Sequence, residues 1–438
     1  MRIFLFGSLL FLSLVGAARA EDGWTWERFV DAAKSGNPDL AAARAAVERA
    51  EAAAAGAYTA YLPQLSLSSD YSRRGGSSSS RDGGFDPSFE RNFSSESRDS
   101  FSSGDRDSFS TTLNARQGLF TGFRRGGEVD QGQAGLAEAR AAFASVGAQV
   151  TSDLASAFAE LVYAQQQVDL AKEILARRQE NVRLIELRYE AGREHKGSFL
   201  RIAAAARQAE ADLASANRAV AVAQRQIARV IGSDQAATLR AEGTFAEAKP
   251  DRPLDFRAIA ASVPAHQQAL ARRQRAEAAV TVAKSQFYPS LDAVASTGRR
   301  DDRFPPEDDS WSAGLSLSFP LFSGGKSFFD VRGAEAESLR AKWDAAAAQE
   351  QAVLDLERAF SGYEDAAENV VVQKQFLDAA ETRAEIARAQ YTNGLLSFDD
   401  WDLIENDLIQ TRKNTLAGRR DAALARARWE LASGTVGV

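Results

Sequence analysis

The 438-residue chain contains no cysteine, so no disulfide and no thiolate metal or redox site can form in it. Histidine is almost as scarce. His195 and His266 are the only two, they fall in different segments, and their spacing does not suit a metal site. No phosphate loop, Gly-x-Gly fingerprint or nucleophile–base constellation is present, which argues against an enzyme and against a bound cofactor. Past residue 20 the chain lacks any apolar run of about 18 residues, so no helix is built to cross a bilayer. A cationic excess is missing too: the formal net charge of −7 argues against nucleic acid as a partner.

What is present begins with an expected leader. Arg2 precedes an apolar stretch, Ile3 to Val15, broken only by Gly7, Ser8 and Ser13. Ala18-Arg19-Ala20 then fits a small-residue cleavage site, so residues 1–20 read as a signal peptide. An exported chain with no apolar helix and no lipid-bearing cysteine has one way to span a membrane, a closed β-barrel.

The rest of the chain reads as two copies of one unit, 21–250 and 251–438. Gly-Leu-Phe-Thr-Gly at 118–122 returns as Pro-Leu-Phe-Ser-Gly at 320–324, an offset of 202. That offset holds without a gap to the C-terminal end: Leu154 meets Leu356, Phe158 meets Phe360, Tyr189 meets Tyr391 and Gly232 meets Gly434. Upstream the offset is 226, pairing Pro38 with Pro264 and Leu62-Pro63 with Tyr288-Pro289. The difference is a 24-residue insertion in the Ser/Gly/Arg-rich stretch Ser72 to Ser108. That composition suits a mobile extracellular loop, either a tolerated insertion or a receptor.

Each unit is expected to run short helix, strand, loop, strand, very long helix, turn, helix. Strands are expected at about 62–72, 109–120, 289–298 and 311–321. In them Leu65, Leu67 and Tyr71, then Phe109, Thr111, Leu113, Ala115 and Leu119, then Leu291, Ala293 and Ala295, then Trp311, Ala313, Leu315 and Leu317 fall on alternate positions. Alternation over about 9–11 residues, apolar on one side and polar on the other, suits transmembrane β-strands. Helices are expected at about 38–60, 125–190, 198–232, 264–286, 327–391 and 398–432. In the longest of the first unit, apolar or small residues step by three and four from Val146 through Leu154, Leu161 and Val168 to Leu175, Val182, Ile185 and Tyr189, with Arg178 interrupting the row. This is an alanine-rich coiled-coil seam. At 1.5 Å per residue, about 60 residues of it extend roughly 90 Å.

Two strands per unit make four per chain. Four strands cannot close a useful barrel, and an open edge cannot face lipid, so several chains must share one. The duplicated order resembles the TolC-like outer membrane efflux proteins over essentially the whole chain after the leader. The resemblance is carried by Trp24-Thr25-Trp26-Glu27 with Asn37-Pro38-Asp39-Leu40, by Tyr61-Leu62-Pro63-Gln64-Leu65, by Gly-Leu-Phe-Thr-Gly, and by Tyr391-x-x-Gly394. It implies a mainly α fold with membrane β-strands. A homotrimer would close a 12-stranded barrel in outer-membrane lipid of a diderm bacterium and continue it as a periplasmic α-helical barrel. The implied partners are a periplasmic adaptor protein and an inner-membrane pump, serving small-molecule efflux or type I protein secretion.

The resemblance also implies site residues. The helical turns Tyr189 to Phe199 and Tyr391 to Trp401 would form the periplasmic tip, with Tyr189, Gly192, Tyr391, Gly394, Leu395 and Ser397 as adaptor-contacting candidates. Gly394-Leu395-Leu396-Ser397 fits the family's tip, whereas Gly192-Arg193-Glu194-His195 departs from it. Asp400 falls on a position that contributes to an acidic gate, with Asp399 and Asp402 beside it. Acidic residues at a helix start are favoured by its dipole, and rings of carboxylates around a tight pore bind cations. The competing expectation is a soluble periplasmic coiled-coil scaffold, whose strands would not need an apolar outer face at four places.

Overall fold

The computed structural model describes residues 23–74, 106–245 and 255–434. The expected signal peptide and most of the Ser72 to Ser108 loop lie outside the described residues. The order of elements is α1 (Trp26–Gly36), α2 (Pro38–Tyr58), β1 (Gln64–Arg74), β2 (Arg106–Thr121), α3 (Arg124–Glu190), α4 (Lys196–Ile231), α5 (Phe256–Ser262), α6 (Pro264–Lys284), β3 (Ser290–Asp301), β4 (Asp308–Ser318), α7 (Lys326–Thr392) and α8 (Phe398–Ser433). The ends of α3 and α7, and of α4 and α8, differ by 202, and those of α2 and α6 by 226. Each long helix has 67 residues, roughly 100 Å at 1.5 Å per residue. No helix among the described residues is long and apolar enough to cross a membrane.

Contacts divide the chain into two compact units that cut across the sequence copies. Among the described residues, one comprises 23–48, 138–245, 255–269 and 344–434, the other 49–74, 106–137 and 270–343. The first unit is helical. Its largest cluster centres on Phe29, Leu154, Leu161, Ile227 and Leu239, all fully buried. In the second copy Leu356 is likewise buried, beside Phe256, Phe360 and Trp429. Within this unit α4 meets α2 end to end: Asn37 Nδ2 donates to the Val230 carbonyl at 2.7 Å, while Asn37 Oδ1 caps α2 by accepting from Leu40 N at 2.9 Å.

The seam of α3 corrects one expectation. Arg178 does not interrupt the row; it belongs to it. Burial steps through Ala171, Ile174, Arg178, Asn181 and Ile185, by three and four, while Leu175 and Val182 lie to the side and Tyr189 is exposed. Two polar side chains therefore occupy core positions, and their partners define part of the site below.

The second unit holds the sheet, an antiparallel meander β1-β2-β3-β4. Leu65 pairs with Ala115, Leu67 with Leu113 and Tyr71 with Phe109. Ala115 pairs in turn with Ala295, and Ala295 with Ala313, while Leu291 pairs with Leu317 and Ala293 with Leu315. Directly opposed residues share a face, so one face is apolar across all four strands. Ser66, Ser68, Asp70, Asn114, Arg116, Asp292, Ser296, Ser312 and Ser316 line the other. Leu119 departs from the expected alternation: a bulge between Gly118 and Phe120 gives Phe120, not Leu119, the partner Leu291.

Candidate functional site

Two surfaces carry the chemistry, and each belongs to one unit. The first is the apolar face of the sheet. Leu65, Leu67, Leu315 and Leu317 are exposed on it, and Trp311 is 81% exposed. An aromatic row bounds the face at one end, with Tyr71 against Phe109 at 4.8 Å and Phe109 against Phe304 at 5.7 Å. A second row bounds the other end, where Phe123 packs on Phe120 at 5.5 Å and on Tyr288 at 5.4 Å. An apolar band between aromatic girdles, backed by a polar face, is what a barrel wall in lipid requires. Water on that face would leave a contiguous hydrophobic surface that a soluble protein does not carry. Among the described residues β1 pairs only with β2 and β4 only with β3, so both edges are open.

The second surface is the pair of helical turns in the helical unit. Gly192 and Gly394 take φ of +67° and +76°, the left-handed geometry that ends α3 and α7. His195 caps α4, its Nδ1 accepting from Ser198 N at 3.2 Å, and Ser397 caps α8, its Oγ accepting from Asp400 N at 3.2 Å. The histidine that breaks the family pattern thus does the same capping work as the serine. Behind the turns, Ile185, Ile202, Ala387, Tyr391, Phe398 and Trp401 form one buried cluster drawn from both copies. Tyr391 stacks on Trp401 with centroids 4.7 Å apart, and Tyr189 on Phe199 at 5.9 Å, the same pairing repeated at the 202 offset.

Polar contacts tie the two turns together. Tyr391 Oη donates to Glu194 Oε2 at 2.8 Å, and Arg188 Nη1 donates to the Tyr391 carbonyl at 3.0 Å. Burial pushes the Glu194 carboxyl upward, but hydrogen bonds from Tyr391, Ser198 and the His195 N–H outweigh it and hold the group below its ordinary value of 4.5. Burial and the neighbouring Glu194 push the Tyr391 phenol far above its usual range. A folded value below the unfolded one means the contribution is present above the ordinary value and is lost as pH falls through the depressed one. Glu194→Gln is therefore expected to lower thermal stability at neutral pH, and the gap to the parent should close as the pH drops below 4.5. A gap that stays constant down to pH about 3 would contradict this.

Deeper in the same unit lies a charged network that sequence reasoning missed. Glu405, only 1% exposed, accepts a bidentate pair from Arg177 at 2.6 and 2.7 Å and a longer contact from Asn181 Nδ2 at 3.4 Å. Asp402, 2% exposed, lies 2.9 Å from Arg201 and 3.7 Å from Arg178, and Arg178 also donates to Asn406. The hydrogen bond to Glu405 raises the Arg177 guanidinium, whereas burial lowers that of Arg178 against the pull of Asp402 and Glu405. The only sequence signal was Arg178 standing in a coiled-coil row.

This geometry sorts the expected site residues. Asp399 and Asp400 are exposed, Asp400 accepting from Ser397 Oγ at 2.6 Å and Asp399 lying 3.6 Å from Arg201. Gly192, Gly394, Leu395 and Ser397 are exposed on the turns, and so is Tyr189. Asp402 is buried against Arg201 and Arg178, and Tyr391, 1% exposed, is buried under Trp401 and joins the two turns. No group of histidine, aspartate and glutamate able to hold a metal occurs among the described residues.

A sheet with an apolar outer face and open edges, together with helical hairpins of this length, is the build of an outer-membrane channel protomer. The family model for outer membrane efflux proteins matches residues 29–233 and 257–435, and the chain belongs to that family. Its members are transport channels of the outer membrane, not enzymes. Solved structures share the fold. VceC, an outer membrane protein of Vibrio cholerae, is 21% identical with a TM-score of 0.79, over 93% of this chain and 96% of that one. CusC is 18% identical with a TM-score of 0.81, over 95% of each chain. The MtrE outer membrane channel of Neisseria gonorrhoeae is 18% identical with a TM-score of 0.78, over 93% of this chain and 88% of that one. No curated protein sequence matches the chain.

Proposed function

We propose that this protein is the outer-membrane exit duct of a tripartite export system. Three copies share one 12-stranded barrel, and substrate handed over by an inner-membrane pump through a periplasmic adaptor leaves passively through it. The observation that carries this reading is the four-stranded sheet with one apolar face and two open edges. Four strands cannot close alone, and lipid tolerates no open edge. Substrates are small molecules or, through type I secretion, proteins; the duct has no energy source, so selectivity resides in the pump. Purification of the tagged full-length protein from outer membranes should bring down a periplasmic adaptor. Recovery of the trimer alone under cross-linking in cells with active export would remove the tripartite assignment.

In this reading the turns form the periplasmic tip. Leu395, Gly394 and Ser397, with Tyr189 and Gly192 on the other hairpin, meet the adaptor. Asp400 and Asp399, repeated by threefold symmetry, line the gate. Both carboxylates are exposed, which supports the assignment, and a narrow ring of them attracts and holds cations. Asp399→Ala with Asp400→Ala is expected to weaken block of the channel by multivalent cations and to raise conductance. Single-channel recording checks it, and an unchanged block would remove both residues from the gate.

A further inference from the structure

We infer that the polar face of the sheet carries an anion-binding collar at the end where α3 begins, built from Arg116, Arg125 and Asp292, and that it takes cargo bearing a carboxylate or a phosphate. The inference rests on the reading of a shared barrel, in which this face lines the duct. Among strand positions 64–68, 110–118, 290–298 and 312–318, Arg116 is the one base and Asp292 the one acid. They meet as a pair, Arg116 Nη2 donating to Asp292 Oδ2 at 3.0 Å. Taken alone, their charges would cancel.

A second base upsets that balance. Arg125, in the first turn of α3, reaches back over the sheet. A Cβ on Gly118 would overlap Arg125 Nη2 and lie 3.2 Å from Asp292 Oδ1, so guanidinium and carboxylate converge on bare glycine backbone. Gly118 stands directly opposite Asp292, which places Arg125 Nη2 on the polar face. The same guanidinium lies 5.3 Å from the centre of the Tyr61 ring. Two guanidiniums thus share one carboxylate. The Asp292 side chain is 15% exposed and that of Arg116 is 66% exposed, so the group presented to a ligand is the cation. A guanidinium has five N–H donors, and Arg116 gives one to Asp292. The residues directly opposite Arg116, Gln64 and Val294, bring no charge.

The fold does not need this cluster. The equivalent strands and helix of the other sequence copy form with Ser66 in the place of Asp292, Ser318 of Arg116, Pro320 of Gly118 and Ser327 of Arg125. Charge at these positions therefore serves something other than the repeat. Around a shared duct each copy sets two guanidiniums and one carboxylate on the same level, so the ring is cationic. Pores ringed by arginine favour anions, and a planar guanidinium meets a carboxylate or a phosphate with two parallel hydrogen bonds. The collar is opposite in sign to the carboxylates of Asp399 and Asp400.

Planar-bilayer recording on the full-length protein, in buffer free of divalent cations, tests this with citrate and, separately, inorganic pyrophosphate as probes. Citrate, pyrophosphate or both should block the parent channel, and Arg116→Gln with Arg125→Gln should weaken that block about tenfold or more. In a KCl gradient the reversal potential of the double variant should move towards that of potassium. Asp292→Asn, which leaves both cations unpaired, should tighten the block. Arg300→Gln, on the same face at the other end of the sheet and opposite Asp308, should leave it unchanged. Where the double variant does not assemble, Arg116→Gln alone, at an exposed side chain, carries the same test with a smaller loss. A conducting channel that neither probe blocks, or whose block survives loss of the arginines, overturns the collar and leaves the duct. Equal weakening by Arg300→Gln overturns it as well, since block would then follow the total charge of the lumen. A protein that never conducts would sink the shared barrel itself.

Discussion

Arginine in place of Leu315 is expected to abolish accumulation of assembled protein in the outer membrane, whereas Ser316→Arg should leave it near the parent level. The two positions are adjacent on β4 and both exposed, so a surface of uniform character would treat them alike. Leu315, however, sits within the apolar band between Leu317 and Trp311, and Ser316 on the polar face beside Ser312. A cation facing lipid near the middle of the bilayer costs about 2–4 kcal/mol, while the same group facing a water-filled lumen costs little. Heat-modifiable oligomer in the outer-membrane fraction reads the difference. Equal tolerance of both variants would mean that the apolar face does not meet lipid.

Arg177→Ala is expected to destabilise the helical unit by about 3–5 kcal/mol, because it leaves a buried carboxylate without its cation. Glu405 is 1% exposed and would keep a single hydrogen bond, the 3.4 Å contact from Asn181, with Arg178 as the remaining nearby cation. Replacing both partners, Arg177→Met with Glu405→Leu, should be far milder, since the desolvation of both charges is relieved together. Thermal unfolding gives the magnitude, and hydrogen exchange locates it: the first turns of α8 should open first. A loss below about 1 kcal/mol for Arg177→Ala would place the pair among ordinary surface ion pairs.

Much of this architecture is written in repeats. The offsets of 202 and 226 between sequence copies coincide with the ends of α2 and α6, α3 and α7, and α4 and α8, because the same capping and turn residues recur, such as Gly232 and Gly434 in left-handed conformation at the ends of α4 and α8. The strand alternation is legible for a related reason: a period of two assigns a face without knowledge of any partner. What was not legible depends on partners far away in the chain. Arg178 read as a break in a seam because its partners Asp402 and Asn406 lie on α8. Asp402 read as a gate candidate because a carboxylate near a helix start is ordinarily exposed, and only the approach of Arg178 and Arg201 makes its burial tolerable. Tyr391 read as a contact residue because the aromatic that marks the turn in sequence is the one that packs it in space, on Trp401. The bulge displacing Leu119 leaves no sequence mark that alternation alone would catch.

The most direct test of the channel itself is electrical. Full-length protein extracted from outer membranes and added to a planar bilayer should insert and give discrete, long-lived conductance steps of uniform size. Protein that inserts yet leaves the bilayer insulating under every voltage and pH, including after Asp399→Ala with Asp400→Ala has relaxed the gate, would contradict the account.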